Sequence, residues 1–243
     1  MPMNMNLTRT ASAAGAALLL GASAAAGQSA LNQFNVGAHL GWTKYGSATA
    51  LESAPFIGID GTYRIPFGSA NTDLGIGFTF GAARPVTRGD QFPVVAFDFG
   101  DTTFLYTVAQ RVTMLTYGGQ AVLGQTFGRL RAYALGGGGA YTIFLDARQN
   151  IGNESFAKGY ASGGGGLEYA IARNVGVRFE ARDLILLGYD RNRLDPSVGY
   201  STDRRIGDVL PAPDATKRTV HNLQGSLVFS YLPNRRGRGG AEP

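Results

Sequence analysis

From residue 33 onward the chain alternates. Residues 33–43, QFNVGAHLGWT, place Phe34, Val36, Ala38, Leu40 and Trp42 on one face and Gln33, Asn35, Gly37, His39 and Gly41 on the other. Alternation of this length predicts a strand with one apolar and one polar face. The same period recurs over 56–65 (Ile57, Ile59, Tyr63, Ile65), 73–82 (Leu74, Ile76, Phe78, Phe80) and 115–124 (Leu115, Tyr117, Ala121, Leu123). It continues over 131–143 (Tyr133, Leu135, Tyr141, Ile143), 160–171 (Leu167, Tyr169, Ile171), 175–182 (Val175, Val177, Phe179, Ala181) and 220–231 (Leu223, Leu227, Phe229, Tyr231). Eight strands are expected, and no segment past the N-terminal leader has helical periodicity.

The connections alternate in length. PFGSAN, TFGR and ARN are short; 44–54, 83–105, 145–158 and 188–217 are long. A meander trimmed at one end and elaborated at the other has the form of a transmembrane up-and-down barrel. Residues 91–110 are read as extra β-structure above the membrane, with a ten-stranded barrel turning at Gly118-Gly119 as the alternative.

The polar face carries Asp60, Arg64, Glu168, Arg178, Glu180 and Arg182, while the opposite face is nearly free of charge. A soluble barrel has the reverse arrangement. Strands of this length tilted near ~40° cover roughly 25–30 Å, the thickness of a hydrocarbon layer. Trp42 and Tyr45 are expected in an aromatic girdle at one rim, and Tyr63, Tyr133, Tyr169 and Tyr231 in one at the other.

Composition sharpens this picture. Glycine is abundant, 36 of 243 residues, with runs at 136–139 and 163–166. Neither run has the Lys and Ser/Thr that a phosphate loop requires. The runs are read as strand, with Gly136, Gly138, Gly164 and Gly166 facing inward to make room for long side chains. Gly137, Gly139, Gly163 and Gly165 are assigned to the outer face.

The first 26 residues have the form of a secretory signal peptide, with Arg9 ahead of an apolar run and Ala24–Ala26 before Gly27. Setting aside Arg9 and the basic tail 233–243 leaves 18 basic and 16 acidic residues, which gives no sign of a nucleic-acid partner. The absence of cysteine removes disulfides and thiolate metal sites.

Of the two histidines, His39 is expected in the lumen as a hydrogen-bond partner and His221 outside, near the headgroups. They do not make a metal site, and no Ser-His-acid set is expected to converge. The inward charges are expected to pair, Arg178 and Arg182 with Glu180, Glu168 and Asp60, and to close the lumen. Loop 188–217, rich in Arg and Asp, is a candidate for binding lipopolysaccharide phosphates, divalent ions or a partner.

The leader, the eight amphipathic strands, VGVRFEARDL on the seventh and LVFSYL on the last resemble the outer-membrane β-barrel family of OmpA, OmpX and OmpW. The resemblance covers about 30–232. It implies an all-β, antiparallel, eight-stranded transmembrane barrel over 27–232, exported to the outer membrane of a Gram-negative cell envelope. Its partners would be outer-membrane lipid, lipopolysaccharide and the assembly machinery, with no cofactor. A monomeric, non-enzymatic structural or surface-interaction role is expected. A narrow, porin-like pore and a soluble lipocalin-like barrel stand as alternatives.

Overall fold

The computed structural model describes residues 34–67, 71–88, 93–98, 103–107, 109–145, 155–172, 174–194 and 218–231. The expected signal peptide, the tail 233–243 and most of loop 188–217 lie outside the described residues. Ten strands are present: β1 (Phe34–Lys44), β2 (Ala54–Pro66), β3 (Thr72–Ala83), β4 (Pro93–Asp98), β5 (Thr103–Thr107), β6 (Thr113–Phe127), β7 (Leu130–Phe144), β8 (Phe156–Ala170), β9 (Val175–Tyr189) and β10 (Arg218–Tyr231). Eight of them close a barrel in the order β1-β10-β9-β8-β7-β6-β3-β2, and β4 and β5 form a separate two-stranded sheet. The expected hairpin within 91–110 is that sheet. The ten-stranded alternative is not the arrangement seen, because β6 runs straight through Gly118 and Gly119.

The register fixes the barrel's shape. Following paired residues from Phe34 leads through Tyr63, Ile76, Ala121, Gly136, Gly163, Asp183 and Leu223 to Lys44. One circuit therefore climbs ten residues along β1. Eight strands with this stagger tilt by about 40°. The connections 67–71, 128–129 and 171–174 share one end, and the long connections share the other. Gly128, with φ +61°, makes the two-residue turn between β6 and β7. By the usual asymmetry of such barrels the short turns mark the periplasmic end.

Between the rims the described outward face is apolar, with Leu40, Ile57, Ile59, Ile76, Phe80, Leu123, Leu167, Phe179 and Phe229 exposed. Trp42 and Tyr117 stand toward the outer rim, and Tyr63, Tyr169 and Tyr231 toward the periplasmic one. The two bands are about 15–20 Å apart along the axis for this tilt. Two expected girdle members are elsewhere. Trp42 is 54% exposed and Tyr231 53%, but Tyr133 is 7% and Tyr45 4% exposed. Tyr133 points into the lumen, and Tyr45 packs inside the outer mouth.

Tyr133 belongs to a larger correction. On β7 the inward face is Arg131, Tyr133, Leu135, Gly137, Gly139, Tyr141 and Ile143, and the outward face is Ala132, Ala134, Gly136, Gly138, Ala140 and Thr142. This reverses the expected orientation, including that of Gly136, Gly138, Gly137 and Gly139. On β8 the expected orientation is the one seen. The lipid-facing side of β7 is built of small residues, whereas its bulky residues fill the interior. Leu135 and Tyr133 pack with Val122 in the lumen.

The interior also changes character with height. At membrane level it is mainly polar, with a small apolar cluster of Val122, Tyr133 and Leu135 among the charges. At the outer mouth it becomes an apolar core of Tyr45, Leu51, Val112, Met114, Tyr141, Ile143, Phe156, Leu184, Leu186, Tyr189, Leu194 and neighbours. Burial pushes the Tyr45 phenol well above its usual range, so it stays protonated. The segments that close this core are stitched together at the outer end. Leu51 bridges Thr87, Val86 bridges Arg111, and the Gln110 amide donates to the Leu194 carbonyl at 2.9 Å.

Candidate functional site

The lumen holds the chemistry of this chain. Strand β9 supplies Arg178, Glu180 and Arg182, which share the inward face because side chains two apart on a strand do so. The walls beside and opposite supply Asp60 and Arg64 (β2), Asp73 (β3), Gln120 (β6), Arg131 and Tyr133 (β7), Glu168 (β8) and His39 (β1). Burying charges is costly unless each finds a partner, and here they form two connected clusters.

The upper cluster centres on Asp60, which is fully buried. Arg178 Nη2 donates to Asp60 Oδ1 at 2.5 Å, and His39 Nε2 lies 3.0 Å from the same oxygen. Gln120 Nε2 reaches Asp60 Oδ2 at 3.4 Å. Glu180 pairs with Arg182 and accepts the Tyr133 hydroxyl at 2.8 Å. The lower cluster joins Arg64 Nη2 to Glu168 Oε2 at 2.7 Å, with Arg131 Nη1 3.4 Å from the same oxygen. Arg131 also pairs with Asp73.

All six lumen charges read from the sequence are inside, but not all pair as expected. Glu168 pairs with Arg64 and Arg131. Asp60 takes Arg178, and Glu180 takes Arg182. The reversed orientation of β7 brings in Arg131, a charge outside the expected six, and moves Tyr133 from the expected girdle into the lumen.

Glycine makes the network fit. A Cβ on Gly37 would collide with Asp60 Oδ1 and Arg178 Nη2, and one on Gly124 would collide with the Arg131 guanidinium. Some inward glycines of the two runs answer a different need. A Cβ on Gly139 or Gly164 would strike the carbonyl of the neighbouring strand. Strands coiled this tightly require glycine there.

One convergence differs from expectation. Ser226 Oγ lies 3.5 Å from His39 Nδ1 while His39 Nε2 contacts Asp60. A serine, a histidine and an acid therefore do meet. Asp60 is already held by Arg178, both His39 and Asp60 are buried, and the cavity beside His39, about 20 Å³, has room for little more than one water.

His221 is outside as expected, 2.6 Å from Asp183 at the outer rim. No group of three or more metal-ligating side chains converges among the described residues.

A family model described as "Outer membrane protein beta-barrel domain" matches residues 12–201, more than half of the chain. No curated protein matches. Among solved structures the chain is similar to Neisserial surface protein A, at 11% identity and TM-score 0.50 over 83% of this chain and 97% of that one. It is similar to the outer membrane enzyme PagL at 13% identity and TM-score 0.39, over 82% of this chain and 99% of that one. The N-terminal β-barrel domain of Pseudomonas aeruginosa OprF follows at 12% identity and TM-score 0.36, over 81% and 97%. At these identities the likeness is one of fold.

Proposed function

The chain belongs to the outer membrane protein β-barrel family, and from that premise we propose that it is a closed, non-enzymatic barrel. Its lumen serves as a structural spine, and its working surfaces are the outer rim and the outer connections. The observation that carries this reading is the continuity of the filling. Ion-paired side chains occupy the membrane level, and an apolar core stoppers the outer mouth. Two cavities in this filling hold about 20 and 10 Å³. A hydrated ion does not pass such a column without dismantling it.

An enzymatic role has one specific observation behind it, the Ser226–His39–Asp60 contact. The burial of His39 and Asp60 and the small cavity beside His39 argue against substrate access. The reading of a soluble ligand-binding barrel conflicts with the apolar exterior and with the family.

Purified, refolded protein in planar bilayers tests the proposal. Only rare, small current events are expected, and a fluorophosphonate probe should leave Ser226 unlabelled. Large, stable conductance steps would replace the closed barrel with a pore, and stoichiometric labelling of Ser226 would replace it with a hydrolase.

A further inference from the structure

Two arginines stand apart from the buried network. Arg84 follows β3 and Arg111 precedes β6, both exposed at the outer rim. They line a cavity of about 490 Å³ with Val86, Thr113, Phe144 and Leu145. Its volume falls within the range of small-molecule sites, ~300–1,000 Å³. Arg111 lies directly across from Val86 in an antiparallel bridge. Arg84, two residues from Val86, is therefore Arg111's diagonal neighbour, about 7–8 Å away at the backbone and within reach of long side chains. Among the described residues no carboxylate lines the cavity. Neither guanidinium has an ion-pair partner among the described residues, while the lumen arginines 64, 131, 178 and 182 all do.

The height of the pair is informative. Thr113 is four residues beyond the girdle residue Tyr117 on β6, about 10 Å further out along the axis at this tilt. Aromatic girdles mark the headgroup level, so the cavity opens at the outer edge of the headgroup layer. Its apolar wall, with Phe144 43% exposed, continues down toward the lipid-facing surface.

We propose that Arg84 and Arg111 form a binding site for the phosphate of a phosphorylated lipid headgroup in the outer leaflet. Guanidinium presents a planar fork of donors that matches phosphate oxygens in pairs. The unpaired charge supplies the attraction, and Phe144, Leu145 and Val86 accept the apolar part of the same molecule. This site rests on the outer-membrane placement of the chain and is independent of whether the lumen is closed.

The test uses the full-length refolded protein in octyl glucoside, a detergent without phosphate. The probe is a fluorescently tagged, diphosphorylated glucosamine lipid in mixed micelles. The wild type is expected to bind it saturably, and Arg84→Gln/Arg111→Gln to bind at least about tenfold more weakly. The same lipid stripped of phosphate should bind the wild type no better than the variant does. Arg84→Lys/Arg111→Lys, which keeps the charge and loses the fork, should fall between.

Both positions lie outside the barrel strands, so an unchanged heat-dependent band shift on gels certifies that each variant is folded. Equal binding by wild type and the Gln variant, or by the lipid with and without phosphate, overturns the proposal. Displacement of the lipid by inorganic phosphate at the lipid's own concentration would make the site one for free anions and would likewise overturn the lipid assignment.

Discussion

Asp60 and Arg178 meet inside the barrel from strands separated by two others, β1 and β10, and 118 positions apart in the chain. Asp60 is fully buried, so neither side chain has water to fall back on. Removing one partner from such a pair costs about 3–5 kcal/mol, because the other charge is left buried and alone. Asp60→Ala should therefore lower the urea midpoint of the barrel in lipid vesicles markedly. Asp60→Leu/Arg178→Met, which removes both charges, should recover much of the loss. A wild-type midpoint for Asp60→Ala would mean that the network does not hold the barrel together.

Gly163 and Gly164 are sequence neighbours with opposite consequences. A Cβ on Gly163 meets nothing within 4 Å, whereas one on Gly164 would strike the Ala181 carbonyl and sit 2.8 Å from the Arg182 Cα. Gly163→Ala should fold as the wild type does. Gly164→Ala forces backbone apart and should cost about 1–3 kcal/mol. The folded fraction after refolding, read from the heat-dependent gel shift, separates the two. Equal behaviour would show that β8 and β9 adjust freely.

Trp42 is the single tryptophan of the chain, so its fluorescence reports one place. Its exposure on the outward face puts it in lipid, with blue-shifted emission when folded. Quenching by lipids brominated near the headgroup should exceed quenching by lipids brominated near the chain end. The opposite order would move the girdle and shift the whole membrane band.

Tyr133 and Tyr231 carry the same hydroxyl in different surroundings. Tyr133 donates to the buried Glu180 at 2.8 Å. A hydrogen bond to a charged group contributes about 1.5–3 kcal/mol. Tyr133→Phe should destabilise by roughly that amount, and Tyr231→Phe, on the exposed girdle, by less than about 0.5 kcal/mol. Comparable losses from the two would contradict the inward orientation of β7.

If the barrel is closed as proposed, the ion pairs and the outer apolar core block the lumen at two levels, and opening it should take two changes. Neutralising Asp60, Arg178, Glu180 and Arg182 together leaves the outer core of Tyr45, Met114 and Tyr141 in place. Conductance of that folded variant should stay near background. Adding Tyr45→Ala and Met114→Ala should raise it. Stable channels from the charge variant alone would locate the block entirely in the ion pairs.

The sequence by itself determined where the barrel strands run and, for seven of the eight, which face meets lipid; that Gly118-Gly119 is strand and not a turn in a ten-stranded barrel came from the fold. The reason is local: side chains on a strand alternate with period two, and a lipid-facing surface excludes charge along its whole length. Strand β1 could be read from Phe34 to Trp42 with no knowledge of its neighbours. β7 is less plain: Ala132, Ala134, Gly136 and Gly138 are small enough to face either way, Tyr133, Leu135, Tyr141 and Ile143 on the inner side are apolar or aromatic, and Arg131 at the strand's end is the single charge that marks that side as the lumen. Apolarity therefore did not distinguish lipid from the outer-mouth core, which the sequence gives no local sign of.

Only the tertiary structure decided the partners. Whether Glu168 meets Arg64 or Arg178, and whether Ser226 reaches His39, depends on the ten-residue stagger with which the sheet closes. That stagger is a property of the whole circuit of pairings, fixed when β1 meets β10, and no stretch of chain contains it.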